Sequence, residues 1–416
     1  MALLRMAVEN YRCFKERQEI ELRPITVILG KNNSGKSALT RLPLLLSTGI
    51  HTDSELPLDL DQLGDDPPEF LDLVHERSVH RPLRLEFAAT LGNRQTYLSA
   101  TIQNIAEQHI QFVSDLEISS EGSRLRLEWI PEAVERTYSV TWDNELPTSE
   151  QVRFSGIIPR IRRSESERGL GFDINRAFRR PVYLGPYRQR PTRLNRLPSR
   201  MATQVGASGE NAIGMLVNDH VRGGGLLIDS VNELLGDGLG GWHLEVEQNG
   251  SLYAISLRSE ASPGLTVNLL DSGTGVAHVL PLLVQLAQSS SSPLPWRSEL
   301  FIIEEPELHL HPAAHALIAE LFISGIQADR RTRYLIESHS ETMLLRLRRR
   351  IAEGVISPEH IAVYFVENDG AAAQVRRIEI DEAGNLDYWP EGIFSEDFEE
   401  TKKLMKAQFS REHDAS

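Results

Sequence analysis

The chain has 416 residues, 40% of them apolar, and carries 44 Lys and Arg against 59 Asp and Glu for a formal net charge of −15. That length holds two or three average domains or one large α/β domain with an insertion, and the acidity argues against indiscriminate nucleic-acid binding. Cys13 is the single cysteine, which excludes a disulfide framework or a cysteine-based zinc site within one chain. No run approaches the ~20 apolar residues of a membrane helix, and Met1 to Asn10 lacks a signal-peptide core, so a cytoplasmic protein is expected.

Residues 3–29 alternate as strands do: Leu4, Met6 and Val8, then Ile20 and Leu22, then the apolar run Ile25 to Leu29. Directly after that run comes Gly30-Lys31-Asn32-Asn33-Ser34-Gly35-Lys36-Ser37, which reads G-x-x-x-x-G-K-S, followed by an apolar helix through Ala38, Leu39, Leu42 and Leu44. A strand, a glycine-rich turn and a helix in this order form a phosphate cradle. The backbone N–H groups converge on phosphate oxygens, and the helix N-terminus adds partial positive charge. Asn32, Asn33, Ser34, Gly35, Lys36, Ser37 and Ala38 are the expected nucleotide contacts, with Lys36 reaching the β/γ-phosphates and the Ser37 hydroxyl placed on Mg²⁺.

Residues 48–76 carry nine acids and no Lys or Arg, and Pro57, Pro67 and Pro68 break any long helix there. From 83 to 142 short alternating runs such as Leu83 to Phe87, Leu125 to Leu127 and Tyr138 to Val140 predict an antiparallel sheet. Between 153 and 200 thirteen arginines stand against Glu165, Glu167 and Asp173, a balance of +10 in an otherwise acidic chain. Arginine favours bidentate contacts with phosphate or carboxylate. The stretch is either a DNA or RNA backbone footprint or a surface that pairs with the acidic 48–76 loop or a partner subunit. Residues 206–235 read as helical with a break at Gly223-Gly224-Gly225, and a strand pair turns at Asn249-Gly250.

Leu300 to Ile303 is an apolar run that ends in Glu304-Glu305-Pro306, the form of a buried Walker B strand delivering carboxylates at its C-terminal end. Glu304 is expected to hold the Mg²⁺ water shell, and Glu305 to be the general base that polarises the attacking water. Asp271-Ser272-Gly273-Thr274-Gly275 precedes the apolar helix Val276 to Leu286, so that the Ser272 hydroxyl and the Gly273 and Gly275 amides suit a second phosphate contact. A third apolar run, from Tyr334, ends in Glu337-Ser338-His339-Ser340.

Several of these segments resemble a known group. Two strands before a P-loop with "NYRCF" at their turn are similar to the head of RecF-like and SMC-like ATPases of the ABC class. Glu304-Glu305-Pro306-Glu307-Leu308-His309-Leu310-His311-Pro312 resembles the E-x-P-E-x-H-L-H-P box of prokaryotic ABC-class "AAA" ATPases, OLD-like and RecF-like, which are often encoded beside defence genes. Tyr183 to Arg188 and Glu337 to Ser340 resemble the same group. Leu386-Asp387-Tyr388-Trp389-Pro390-Glu391-Gly392-Ile393-Phe394 is like the W-P-x-G-F-F tail of one uncharacterised branch. Two departures stand out: Ala277-His278 where Ser-Gln is usual, and Ser338 where threonine is common.

The resemblance implies an α/β fold, an ABC-type (RecF/SMC-like) P-loop ATPase head with an antiparallel β lobe and an inserted arginine-rich α/β segment. It implies a division into 1–82 (β arm and P-loop), 83–260 (β lobe and insertion), 261–345 (signature, Walker B and switch histidine) and 346–416 (a family-specific extension). His339 takes the place of the switch histidine that senses the γ-phosphate. The Ser272–Gly275 segment takes that of the signature, which acts in trans, so ATP and Mg²⁺ are expected in composite sites of a homodimer or higher homo-oligomer. Arg12 is either the basic residue that approaches the nucleotide or an exposed turn arginine. Gln62 is either the glutamine that orients Mg²⁺ or water, or a solvated loop residue. His309 and His311 fall in the region that crosses the dimer interface in this class, where they form interface hydrogen bonds or chelate a metal. Only 76 residues follow Ser340, too few for a complete Toprim domain, and residues 84–270 hold too much Pro and Gly for a long coiled coil. The expected function is therefore an ATPase switch in bacterial antiviral defence with its effector on a separate chain, or a DNA-repair ATPase, or a slowly hydrolysing scaffold.

Overall fold

The computed structural model describes residues 2–64, 66–91, 94–105, 110–120, 122–131, 136–161, 174–236, 241–290, 300–329, 331–389 and 400–406. Arg162, Arg163 and Arg168 of the basic stretch, and Pro390 to Phe394 of the tail, lie outside them.

Five apolar segments build a parallel sheet in the order Val182–Leu184, Leu300–Glu304, Arg333–Glu337, Ile25–Gly30, Ile361–Asn368, and Ala373–Ile378 adds an antiparallel edge. All six residues of Ile25–Gly30 are buried, as a central strand covered on both faces requires. Its alternation divides two cores. Ile28, with Leu335 and Tyr364 on the neighbouring strands, faces Leu39, Leu42 and Leu46 of the post-P-loop helices. Val27 and Leu29, with Ile303, Ile336 and Val363, face Leu280, Phe322 and Leu344 of the helices Thr274–Ser290, Pro312–Ala328 and Glu341–Ala352. Each such buried aliphatic side chain contributes about 1.5–3 kcal/mol, so the register that aligns the strand ends is strongly held.

The first core is closed on its far side by an eight-stranded antiparallel sheet that runs Gln18–Glu21, Ala2–Glu9, Leu83–Leu91, Arg94–Ile105, Ile110–Ser120, Ser123–Trp129, Thr137–Trp142, Thr148–Gln151. Leu125 and Leu127 point in while Arg124 and Arg126 point out, the period-2 pattern of a sheet with one wet face. A smaller sheet is centred on the hairpin Trp242–Asn249 and Leu252–Ser259, whose turn puts Gly250 at φ 63°. The helical stretch before it divides into Ala212–Asn218 and Leu226–Leu235, with Gly224 and Gly225 both left-handed at the break. The helix expected from Val276 begins at Thr274 and runs through Pro281, whose ring packs over Gly209. Among the described residues no helix is long and apolar enough to cross a membrane.

Candidate nucleotide site

The C-terminal ends of the parallel strands meet at one edge, the usual ligand edge of such a sheet. Parallel pairing puts Glu304 level with Glu337, and Glu337 level with Ile28 two residues before Gly30. The loop Lys31–Gly35 therefore faces both acidic strand ends. Gly35 has φ 108°, and a Cβ there would sit 2.3 Å from Cys13 Sγ, so only glycine fits the turn. Asn32 and Asn33 are exposed, Ser34 and Ala38 buried, and Asn33 is left-handed with φ 61°. Lys36 is buried and curls back so that Nζ donates to the Lys31 carbonyl at 2.8 Å. Burial pulls its pKa down, while Glu337 and Glu305 pull it up.

Ser37 Oγ donates to Glu337 Oε1 at 2.9 Å. Glu337, 3% exposed, was not singled out from the sequence. The signal was there: like Glu304, it is an acid that ends an apolar strand. Burial first, then the neighbouring Glu304, push its carboxyl up to about 7, against the Ser37 hydrogen bond and Lys36. Glu304 is 1% exposed and otherwise engaged. Arg41 Nε and Nη2 each reach its carboxylate at 2.6 Å, and the Tyr183 hydroxyl donates to it at 3.2 Å. Arg188 Nη2 donates to its carbonyl, and burial brings that guanidinium down to about 10. The structure thus puts Ser37 beside Glu337 rather than beside Glu304, because Arg41, one helical turn after Ser37, takes the Glu304 carboxylate.

Glu305 follows the strand with φ 45°, a left-handed conformation costly for a non-glycine residue, and its N–H donates to the Glu337 carbonyl at 2.8 Å. Strain of this kind concentrates at functional positions. His339 Nε2 lies 3.9 Å from Glu305 Oε1, and burial followed by Lys36 keeps the imidazole below its ordinary pKa. The His339 backbone N–H donates to Glu307 Oε1 at 2.6 Å, and Ser338 Oγ donates to the same oxygen at 2.8 Å. Glu307 therefore fixes the Ser338–His339 loop from the E-P-E-x-H-L-H-P box. Burial raises the Glu307 carboxyl, opposed by these hydrogen bonds.

The remaining candidates lie around this edge. Ser272 Oγ donates to the Leu269 carbonyl at 2.7 Å, Gly273 faces open space, and Gly275 packs on Leu310 and the His309 carbonyl, so the segment adjoins the turn that follows Glu305. Asp271 before it is held bidentately by Arg193 at 2.7 Å. His309 stacks on His278 with ring centroids 4.6 Å apart, and burial first, with His309 and Arg188, brings His278 down to about 4. His311 instead caps the helix Pro312–Ala328 through the Ala313 N–H, so the two histidines of the box do not converge. Arg12 is exposed with φ 50°, and its carbonyl lies 2.8 Å from His75 Nδ1. Gln62 donates to Asp59 and the His51 carbonyl. Arg12 and Gln62 do share the wall of one cavity of about 690 Å³ with Arg41, Arg180 and Tyr183.

Residues 1–110 match the family model of the AAA ATPase domain, the stretch that contains the P-loop. Over that P-loop segment the chain is similar to AAA ATPase domains. Residues 356–404 match the model of a protein family of unknown function, DUF3696, a stretch that takes in Leu386 to Trp389. No curated protein matches the chain. Among solved structures it is similar to the SMC head domain from Thermotoga maritima, at 13% identity and TM-score 0.43, covering 91% of this chain and 100% of that one. It is similar also to an Smc head domain with an extended coiled coil bound to the C-terminal domain of ScpA, derived from Pyrococcus furiosus, at 10% identity and TM-score 0.45, covering 91% and 96%. A further likeness is to an SmcHead bound to the C-winged helix domain of ScpA, at 12% identity and TM-score 0.46, covering 91% and 98%.

Proposed function

We propose that the head hydrolyses ATP by water attack on the γ-phosphate, as one half of a composite site completed by a second copy. The observation that supports this most directly is the convergence of Lys36, Ser37, Glu304, Glu305, Glu337 and His339 at one sheet edge beside the P-loop. Lys36 and the loop amides from Asn32 to Ala38 hold the phosphates, and Arg12 approaches the nucleotide from the strand turn. Glu305 takes the proton of the attacking water, and His339 bonds the γ-phosphate. Ser272, Gly273 and Gly275 serve the partner's nucleotide.

The donor set fits Mg²⁺: a hydroxyl at the start of the P-loop helix and carboxylate oxygens at the strand ends. Ser37 would hold the ion directly and Glu304 through its water shell, once Arg41 releases that carboxylate. Bound there, Mg²⁺ supplies charge neutralisation to the phosphates. Glu305→Gln tests the assignment: turnover should fall by about 10²-fold or more while ATP binding persists, with ATP-dependent dimerisation visible by size exclusion. Hydrolysis at the parent rate removes Glu305 from its role.

The clamp of Arg41 on Glu304 favours a second reading, a head that binds ATP, hydrolyses it slowly and locks an assembly with a separate toxin or nuclease. Either reading accords with antiviral defence, or with DNA repair of the RecF kind. The basic stretch is partly spent on ion pairs, Arg160 with Asp53 and Arg193 with Asp271. Arg190, Arg196 and Arg200 line a separate cavity of about 260 Å³ and are the part best suited to a DNA or RNA backbone.

A further inference from the structure

Glu337 has one carboxylate oxygen on Ser37 and one with nothing. Its Oε1 accepts from Ser37 Oγ at 2.9 Å, whereas Oε2 is buried without a hydrogen-bond partner in a residue 3% exposed. Buried polar atoms are nearly always satisfied, and a bare carboxylate oxygen calls for a positive partner. Lys36 faces the acids of this edge, yet its hydrogen bond goes to the Lys31 carbonyl, so it offsets charge without meeting the oxygen. Arg41 is committed to Glu304.

One donor atom each from Glu305, Glu337 and His339 all lie within 4.8 Å of one another. The backbone that carries them is fixed: Glu305 N–H on the Glu337 carbonyl, and His339 N–H on Glu307. Small side-chain rotations would bring the three onto one ion. Two carboxylates and one imidazole form a mixed oxygen and nitrogen set: the imidazole favours a first-row transition ion over Mg²⁺, and the two carboxylates keep Mn²⁺ among the ions that it accepts.

We propose that Glu305, Glu337 and His339 form a divalent-cation site that fills without nucleotide and takes an ion of the Mn²⁺ class. It differs from the Mg²⁺ that accompanies ATP in needing no phosphate and in having a nitrogen ligand. Glu305 and His339 are also the groups assigned to water and γ-phosphate, so the ion and hydrolysis compete for them. That consequence rests on the ATPase reading, whereas the binding itself does not.

The full chain, free of nucleotide, is titrated with Mn²⁺ while the free ion is followed by its EPR signal, and the bound ion is examined by pulsed EPR for nitrogen coupling. One Mn²⁺ per chain with nitrogen coupling is expected. Glu337→Gln, which keeps an oxygen for Ser37, should weaken binding at least about tenfold, and His339→Gln should abolish the coupling. Mn²⁺ binding that appears only after ATP is added overturns the proposal, as does binding without nitrogen coupling in the parent chain. If Glu337→Gln fails to fold, the coupling in the parent and its loss in His339→Gln decide. ATP binding measured on the same samples separates the two ideas, because its absence beside intact Mn²⁺ binding refutes the ATPase reading alone.

Discussion

Replacing Arg41 with methionine tests the clamp on Glu304. The change keeps an apolar stem and removes both 2.6 Å charge-assisted hydrogen bonds to a carboxylate that is 1% exposed. It also removes the guanidinium stacked 5.9 Å from the Tyr183 ring centre. Stripping one partner from a buried ion pair costs about 3–5 kcal/mol. The Arg41 side chain is 41% exposed, so solvent screening reduces the expectation to about 2–3 kcal/mol. Most of that cost is the uncompensated charge of Glu304, not the value of the pair. Glu304→Gln should therefore destabilise the parent, yet restore much of the loss in the Arg41→Met background, giving a coupling of about 2 kcal/mol in a double-mutant cycle. Urea unfolding of the four proteins by circular dichroism measures it. Coincident midpoints for Arg41→Met and the parent, or an equal effect of Glu304→Gln in both backgrounds, refute the reasoning.

Gly35→Ala should abolish ATP binding in a filter or fluorescence assay, because its Cβ would lie 2.3 Å from Cys13 Sγ at φ 108°. The Glu337 carboxyl is raised from 4.5 to about 7, so the native chain holds its proton longer than the unfolded chain does. Stability of the nucleotide-free protein should therefore fall as pH rises from about 4.5 to 7, by on the order of 3 kcal/mol, and Glu337→Gln should flatten that slope in pH-dependent denaturation. Alanine at Arg190, Arg196 and Arg200 together should lower DNA affinity and reduce the salt slope by up to about 3, read by fluorescence anisotropy at several salt concentrations. Salt-insensitive binding, or none in the parent, would assign this cavity to a protein partner.

What could be read from the sequence follows from how local each signal is. The strand ahead of Gly30, the acids after Ile303 and the histidine after Ile336 each announce themselves by an apolar run and the residue that ends it. Their meeting at one edge follows from the parallel order of the sheet. The hairpin at Asn249-Gly250 and the break at Gly224-Gly225 were legible because glycine marks left-handed backbone. Pairings made through space were not. Arg41 reads as one basic residue in an apolar helix, and nothing local to it points 263 residues ahead to Glu304. Glu307 sits inside a quoted motif, but its bonds to Ser338 and His339 come from the folded loop. Gln62 and Arg12 share one cavity wall only because the acidic loop folds back over the helix Leu42–Ile50.

These pairings also bear on how the site is charged before nucleotide arrives. Glu304, Glu305 and Glu337 crowd one edge, and the cations that face them are Lys36, Arg41 and Arg188, of which Lys36 and Arg188 are depressed by burial. Like charges this close are tolerated only while each has a partner or a proton. A triphosphate adds negative charge to an edge whose three acids already match its three cations. A divalent cation that comes with it, or the proton that Glu337 keeps, offsets that added charge. The same crowding explains why the Ser37 hydroxyl turns to Glu337 and why Arg41 spans a helical turn to reach Glu304. Both contacts hold apart acids that the strand register forces together, and under the proposed function both change when a metal–nucleotide complex binds.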